Sequence, residues 1–314
     1  VEQLSTLTMT HSQWLEDRRK GIGGSDVATI LGLNKWKSPF QLWLDKTGQI
    51  DIEFSESEPA YWGNVLEEVV AKEFRERTGK RVRRRNQVFV HDQYPFLRAN
   101  IDRDVVGENA ILECKTANAY LAKDWEGDEI PLAYICQVQH YMNVLNRDYA
   151  YIAVLIGGQK FIWKKIERDQ ELIDIITKKL VDFWTINVEQ MIEPQIDGSQ
   201  ATTDYIKSVT NDLGDNEVTL SDDIDVLIDS KNELEQTIKD LKLQSNKLDN
   251  QIKLEMKEKN ASVGITPKRV ITFKKQQRKT LDKKIIEQRF PEIKDNDEFY
   301  KISEFRTLKT KEIG

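Results

Sequence analysis

Three residues near the middle of the chain have the types and spacing to do chemistry. Asp102 ends the run Phe96-Leu97-Arg98-Ala99-Asn100-Ile101-Asp102, and Glu113-Cys114-Lys115 follows Ala110-Ile111-Leu112. Read as a hairpin turning through Gly107-Glu108-Asn109, the two runs bring Asp102 to the strand that carries Glu113. Residues two apart on a strand share a face, so Glu113 and Lys115 stand side by side. A carboxylate pair at a strand end suits Mg²⁺, a hard cation that takes oxygen ligands and keeps several waters. The lysine could orient or polarise such a water, which outlines metal-assisted phosphodiester hydrolysis. The same residues also read as a solvated hairpin with an ordinary cross-strand ion pair. The apolar lead-in favours chemistry, because charge at the end of a buried strand is costly.

Two further stretches suit an anion. Ile22-Gly23-Gly24-Ser25-Asp26 opens a helix that runs through Ile30 and closes at Gly32, with Ser25 or Asp26 as N-cap. A glycine turn at a helix N-terminus offers N–H groups and the positive dipole end to phosphate, and a preceding arginine adds a two-pronged donor. A plain capped turn is the alternative. Arg81 to Arg85 supplies four arginines in five residues. That is either a basic strand edge along duplex phosphates or a solvated edge that discourages strand pairing.

The elements that must position these groups follow from periodicity and punctuation. Helices are expected over His11 to Lys20, over Phe40 to Thr47 after Ser38-Pro39, over Pro131 to Leu145 and over Asp169 to Met191. A longer amphipathic helix runs from about Pro59 to Arg77, with Trp62, Leu66, Val69, Val70 and Phe74 on its apolar side and Glu67 beside them. A second hairpin, Tyr149 to Ile156 and Phe161 to Ile166, turns at Gly157-Gly158. Irregular alternation of strands and helices implies an α/β domain of α+β character, a mixed central sheet flanked by helices. No dinucleotide-binding or Walker signature is present.

Beyond this first domain, residues 1–198, an extension occupies residues 199–314. Pro194 to Ser221 is polar and linker-like. Over about 222–259, Leu227, Leu234, Ile238, Leu241, Leu248 and Ile252 form a heptad seam broken by Lys231 and Ser245. The seam fits a helical hairpin arm that packs on itself, the favoured reading, or a short coiled coil with a partner. Residues 260–314 follow as a basic strand and helix region. From Lys259 to Leu281, counting Lys259, there are seven basic residues and no acids, spanning the strand-like Arg269 to Phe273, and a helix is expected over Asp282 to Arg289. This tail could touch DNA, dock a protein, or simply be solvated.

A net charge of −6 would argue against a polyanionic partner, but the distribution matters more. Residues 201–250 hold 5 Lys and Arg against 12 Asp and Glu; residues 251–314 hold 17 against 10. The two cysteines, Cys114 and Cys136, form no CxxC pair. They argue for a reducing compartment and against a thiolate or iron–sulfur cluster. Val1 to Ser12 lacks a signal-peptide core and no run reaches membrane-spanning length, so the expectation is a cytoplasmic protein with no membrane partner.

The blocks Arg18-Arg19-Lys20-Gly21-Ile22-Gly23-Gly24-Ser25-Asp26, Trp62-Gly63-Asn64-Val65-Leu66-Glu67, Asp102, Glu113-Cys114-Lys115 and Gln137-Val138-Gln139 occur in one order over roughly residues 11 to 192. In that order they resemble the phage-lambda-type recombination exonucleases, the YqaJ group of the PD-(D/E)xK nuclease superfamily. The resemblance implies that Asp102, Glu113, Glu67 and the Cys114 carbonyl bind metal, and that Lys115 positions the attacking water. It implies that Arg19 and Ser25 hold a 5′-phosphate, with Gln137 between that pocket and the scissile phosphate. Asn100 stands where the lambda enzyme has a serine and keeps an amide for phosphate, while Ile101 replaces a proline. With the basic edge Arg83, Arg84 and Arg85, these are the candidate site residues. The resemblance further implies two Mg²⁺ ions (Mn²⁺ as a substitute) and 5′-to-3′ digestion of one strand of duplex DNA from 5′-phosphorylated ends. It also implies a ring-shaped homotrimer and a single-strand-annealing partner of the Red-beta or RecT kind. The alternatives are a PD-(D/E)xK endonuclease, a RecB-like nuclease, or a catalytically silent DNA-binding or scaffold protein.

Overall fold

A computed structural model of the chain describes residues 2–5, 9–50, 57–210, 213–214, 216–293, 296–300 and 310. Two compact units divide the chain, Val1–Val209 and Thr210–Gly314. The first unit runs β1 (Glu2–Ser5), α1 (His11–Arg19), α2 (Gly24–Ile30), α3 (Pro39–Lys46), α4 (Glu58–Thr78), β2 (Val82–Arg84) and β3 (Gln87–Val90). It continues through β4 (Arg98–Ala99), β5 (Arg103–Val105), β6 (Ala110–Ala117), α5 (Leu132–Leu145), β7 (Tyr149–Ile156), β8 (Lys160–Glu167), α6 (Gln170–Asp182) and α7 (Gln200–Thr210).

Five strands form the main sheet in the order β2-β5-β6-β7-β8. β6 and β7 pair in parallel, as a crossover through α5 requires, and the other neighbours are antiparallel. Helices cover both faces of the central strands, so β7 is almost wholly buried rather than alternating. Val70, Ala71 and Phe74 of α4 pack on Leu112, Tyr151 and Ala153. On the opposite face Val138 and Met142 of α5 lie with Ile111, Ile152 and Val154. The fold is thus the expected mixed sheet flanked by helices.

Several local expectations are corrected. Phe96 to Asp102 is not one strand: Arg98–Ala99 pairs with β3 in a second, three-stranded sheet, β1-β3-β4, and only Arg103–Val105 pairs with β6. Trp62 and Val69 of α4 are about half exposed: Trp62 lies in the first turns, before the sheet-packed Val70, Ala71 and Phe74, and Val69 points away from the face that Val70 presents to the sheet. α6 stops at Asp182 and continues as a π-helical stretch, Phe183–Glu189. The stretch read as a linker contains α7, whose Tyr205 ring meets Phe40 at 5.8 Å and whose Thr202 is buried. The first unit therefore extends to 209, beyond the boundary expected at 198.

The second unit comprises α8 (Asp223–Glu258), the antiparallel pair β9 (Val263–Ile265) and β10 (Val270–Thr272), and α9 (Lys283–Arg289). α8 is one unbroken helix and not a hairpin arm. No glycine or proline lies between 223 and 258 to turn the chain back.

Candidate active site

Glu113 and Lys115 share the α5 face of β6, where the strand leaves the core: its first four residues are buried and its last four only partly. Lys115 Nζ donates to Glu113 Oε1 at 2.7 Å, and Gln137 Nε2 from α5 donates to the same oxygen at 2.7 Å. Glu113 Oε2 is buried and makes no hydrogen bond. Asp102, placed just before β5, lies across from Glu113 and accepts the Cys114 N–H through Oδ2 at 2.7 Å. The hairpin geometry thus joins Asp102, Glu113 and Lys115 as the spacing suggested.

Electrostatics follow from this crowding. Burial, then the charge of Glu113, holds the Asp102 carboxyl well above its usual range, and Glu67 adds to the effect. Burial alone would lower the Lys115 ammonium, but Glu113 and Asp102 outweigh it and raise it, so Lys115 stays charged. The Cys114 thiol is pushed well above its usual value by burial and by Asp102 and Glu113. It remains a neutral thiol, which leaves its carbonyl as the ligand it could offer.

Glu67 is close by but engaged elsewhere. Buried Arg103 donates to its Oε1 through Nη1 and to Glu68 Oε2 through Nη2 at 2.8 Å, while Arg84 stands 3.8 Å from Glu67. Among the described residues no three Asp, Glu, His or Cys side chains converge as a metal-binding group. The donor set still suits a hard cation. Two carboxylates share a poorly solvated corner, one of them with a spare buried oxygen, and a divalent ion would relieve that repulsion.

The anion-binding half is built around α1 and α2. Arg18, and not Arg19, meets Ser25: its Nη2 donates to Ser25 Oγ at 3.0 Å, and its guanidinium lies over the Trp14 ring. Arg19 donates instead to Asp45 Oδ1 at 3.3 Å and to the Ile50 carbonyl at 3.1 Å. Both arginines line a cavity of about 190 Å³ with Lys37, Lys46, Asp26 and Asp45, a surplus of two positive charges. The cap also differs from expectation. Gly23 is the N-cap, and Asp26 reaches back to accept its N–H at 3.1 Å. Burial would raise the Asp26 carboxyl, yet Lys46, Arg18 and Lys37 hold it below the usual range.

Gly24 has a packing role. A Cβ there would fall 2.4 Å from the ring and hydroxyl of Tyr141, so only glycine lets α2 lie this close to α5. Tyr141 OH accepts from Gln137 Nε2 at 3.1 Å. It also lines a second cavity, of about 180 Å³, with Arg18, Ser25 and Asn100. Gln137 therefore touches the acid cluster with one proton and the floor of the arginine pocket with the other. The basic edge is partly committed: Arg85 Nε donates to Asp104 at 2.5 Å, Arg83 lies 4.0 Å from the same carboxylate, and Arg83 and Arg84 remain largely exposed.

Sequence reasoning passed over Arg103, Tyr141 and Trp36. Tyr141, four residues after Gln137, shares its helix face, which was a readable signal. Trp36 is 89% exposed at a groove that ends at Lys115 and Gln137.

A mixed-sheet α/β domain with an Asp and a Glu-x-Lys at one strand end, beside a cationic pocket, defines a class suited to phosphate-ester substrates. A family model described as YqaJ-like viral recombinase domain matches residues 13–148. The uncharacterized protein YqaJ of Bacillus subtilis strain 168 is 46% identical over 314 residues, which is 98% of this chain and 96% of the relative. The chain belongs to this YqaJ-like family. It is also similar to the alkaline exonuclease LHK-Exo of Laribacter hongkongensis (19% identity, 57% of this chain and 95% of that one, TM-score 0.49). A phage-related exonuclease of Haemophilus somnus 129PT is similar at 17% identity, over 55% of this chain and 96% of that one, with TM-score 0.42. No helix among the described residues is long and apolar enough to cross a membrane.

Proposed function

We propose that the chain is a Mg²⁺-dependent 5′-to-3′ exonuclease acting on double-stranded DNA in a phage or prophage recombination system. One observation carries the reading: Gln137 and Tyr141 tie the Asp102, Glu113 and Lys115 cluster directly to the Arg18 and Ser25 pocket. Asp102, Glu113 and the Cys114 carbonyl would hold two Mg²⁺ ions, with Mn²⁺ as a substitute, and Glu67 would join on leaving Arg103. Bound metal supplies polarisation of the scissile phosphate and stabilises the charge that develops there.

The remaining work falls to this chain's own groups. Lys115, kept charged by its two acids, orients the attacking water beside Glu113. Arg18 and Ser25 grip the terminal 5′-phosphate, and Asn100 lines the same cavity as a further donor. Fixing that terminus sets the next phosphodiester over the acids, which makes a hydrolase end-dependent. The reading brings with it a 3′ single-stranded product for a Red-beta or RecT-like annealing protein, and a homotrimer.

The test is digestion of end-labelled linear duplex beside closed circular DNA, with and without Mg²⁺. The linear form alone should disappear, releasing 5′ mononucleotides. Asp102→Ala or Lys115→Ala should lower the rate by about a hundredfold or more while DNA binding persists. Cleavage of circles, or full activity in either variant, would refute the reading.

A further inference from the structure

α8 is 36 residues long, and Leu227, Leu234, Leu241 and Leu248 recur along it every seven residues. All four are more than half exposed. The other seam position holds Ile224, Ile238 and Ile252, alternating with Lys231 and Ser245. The β9–β10 hairpin reaches α8 only near its end, where Gly264 adjoins the Met256 methyl and Lys253 lies over Phe273. Among the described residues of its own unit, the Leu227, Leu234, Leu241 and Leu248 seam stays exposed. A strict seven-residue repeat fits a helix of the same repeat, which makes this seam a coiled-coil surface.

We propose that α8 pairs with α8 of a second copy of this chain as an antiparallel two-stranded coiled coil, with Ile238 opposite Leu241. Three features select the occupant and its direction. A parallel pair would stack Lys231 on Lys231 in one buried layer, whereas the antiparallel register sets each Lys231 against Leu248 of the other copy. In that register Glu235 faces Lys242 of the other copy, and two-fold symmetry makes the match twice. On the opposite flank Ser230, Thr237, Gln244 and Gln251 are uncharged, and the like charges Asp223 and Glu258 meet only at the two ends. The register also overlaps the two helices almost end to end, from Ile224 to Glu255.

The pairing is independent of the catalytic reading, because it uses no residue of the first unit. Sedimentation of the full chain tests it. Each helix pair joins two otherwise separate assemblies, so Leu234→Lys with Leu241→Lys should halve the assembly mass and leave the melting of the first unit unchanged. Glu235→Lys alone and Lys242→Glu alone should each weaken pairing roughly tenfold. Mixing those two single variants should restore it, because each 235 then meets an opposite charge at 242. A mass unaffected by the leucine changes, a threefold fall, or mixing without recovery would overturn the proposal.

Discussion

Glu113 gathers Lys115 and Gln137 on one oxygen and keeps the other buried without a donor, so its surroundings are arranged for something further to approach. Adjacent residues divide the arginine work: Arg18 points to Ser25 and Arg19 to Asp45. Successive helix positions differ by about 100° in direction, so the Arg18-Arg19 pair in the sequence does not reveal which one faces the pocket. Arg18→Ala should abolish the preference for 5′-phosphorylated over 5′-hydroxyl ends, and Arg19→Ala should leave most of it. Rates on the two end types decide between them. A residue outside the cluster gives a pH prediction. His140 Nε2 donates to the Arg98 carbonyl at 2.8 Å, and burial lowers its pKa to about 4. The unfolded chain takes up this proton near pH 6.5 and the folded one only near 4. The contribution is therefore complete above 6.5 and lost as pH falls toward 4, on the order of 3 kcal/mol in all. His140→Gln keeps a donor but cannot titrate, so its urea midpoint should fall less than that of the wild type between pH 7 and 4.5. Parallel losses would refute this role for His140.

At the level of elements, β6 and the β7–β8 hairpin were legible because apolar strand runs and paired glycines admit few other structures. α4 was harder. Its apolar stripe is wider than the sheet it meets, and Trp62 instead donates to Glu58 at 3.0 Å on the surface. α7 was missed because a polar stretch needs few anchors, here Tyr205 against Phe40 and Thr202 bonded to Asp197. The glycines before Ser25 were read for phosphate, yet Gly24 serves the approach of α2 to α5. Gly24→Ala must displace Tyr141 and should cost about 1–3 kcal/mol. It should also lower cleavage more than DNA binding, since Gln137 loses its partner. Denaturant titration and a rate measurement on one preparation would show both, and a neutral change in either would count against that packing role.

For the whole molecule, the two units predict where the chain can be cut. A version ending at 210 keeps α7 and should fold with a melting temperature near that of the first unit in the intact protein. One ending at 198 uncovers Phe40 and removes the Ala201 carbonyl that accepts from Gln41, and should melt several degrees lower. Calorimetry of the two truncations distinguishes them, and equal values would reassign α7 to a passive role. Elsewhere on the first unit, one carboxylate has an outsized electrical effect. Asp104 is shared by Arg83, Arg85 and Arg147, at 4.0, 2.5 and 2.9 Å. Guanidinium groups already neutralised within the fold displace few condensed ions from a polyanion. Any affinity of this edge for nucleic acid should therefore fade less steeply with ionic strength than a run of four arginines would imply.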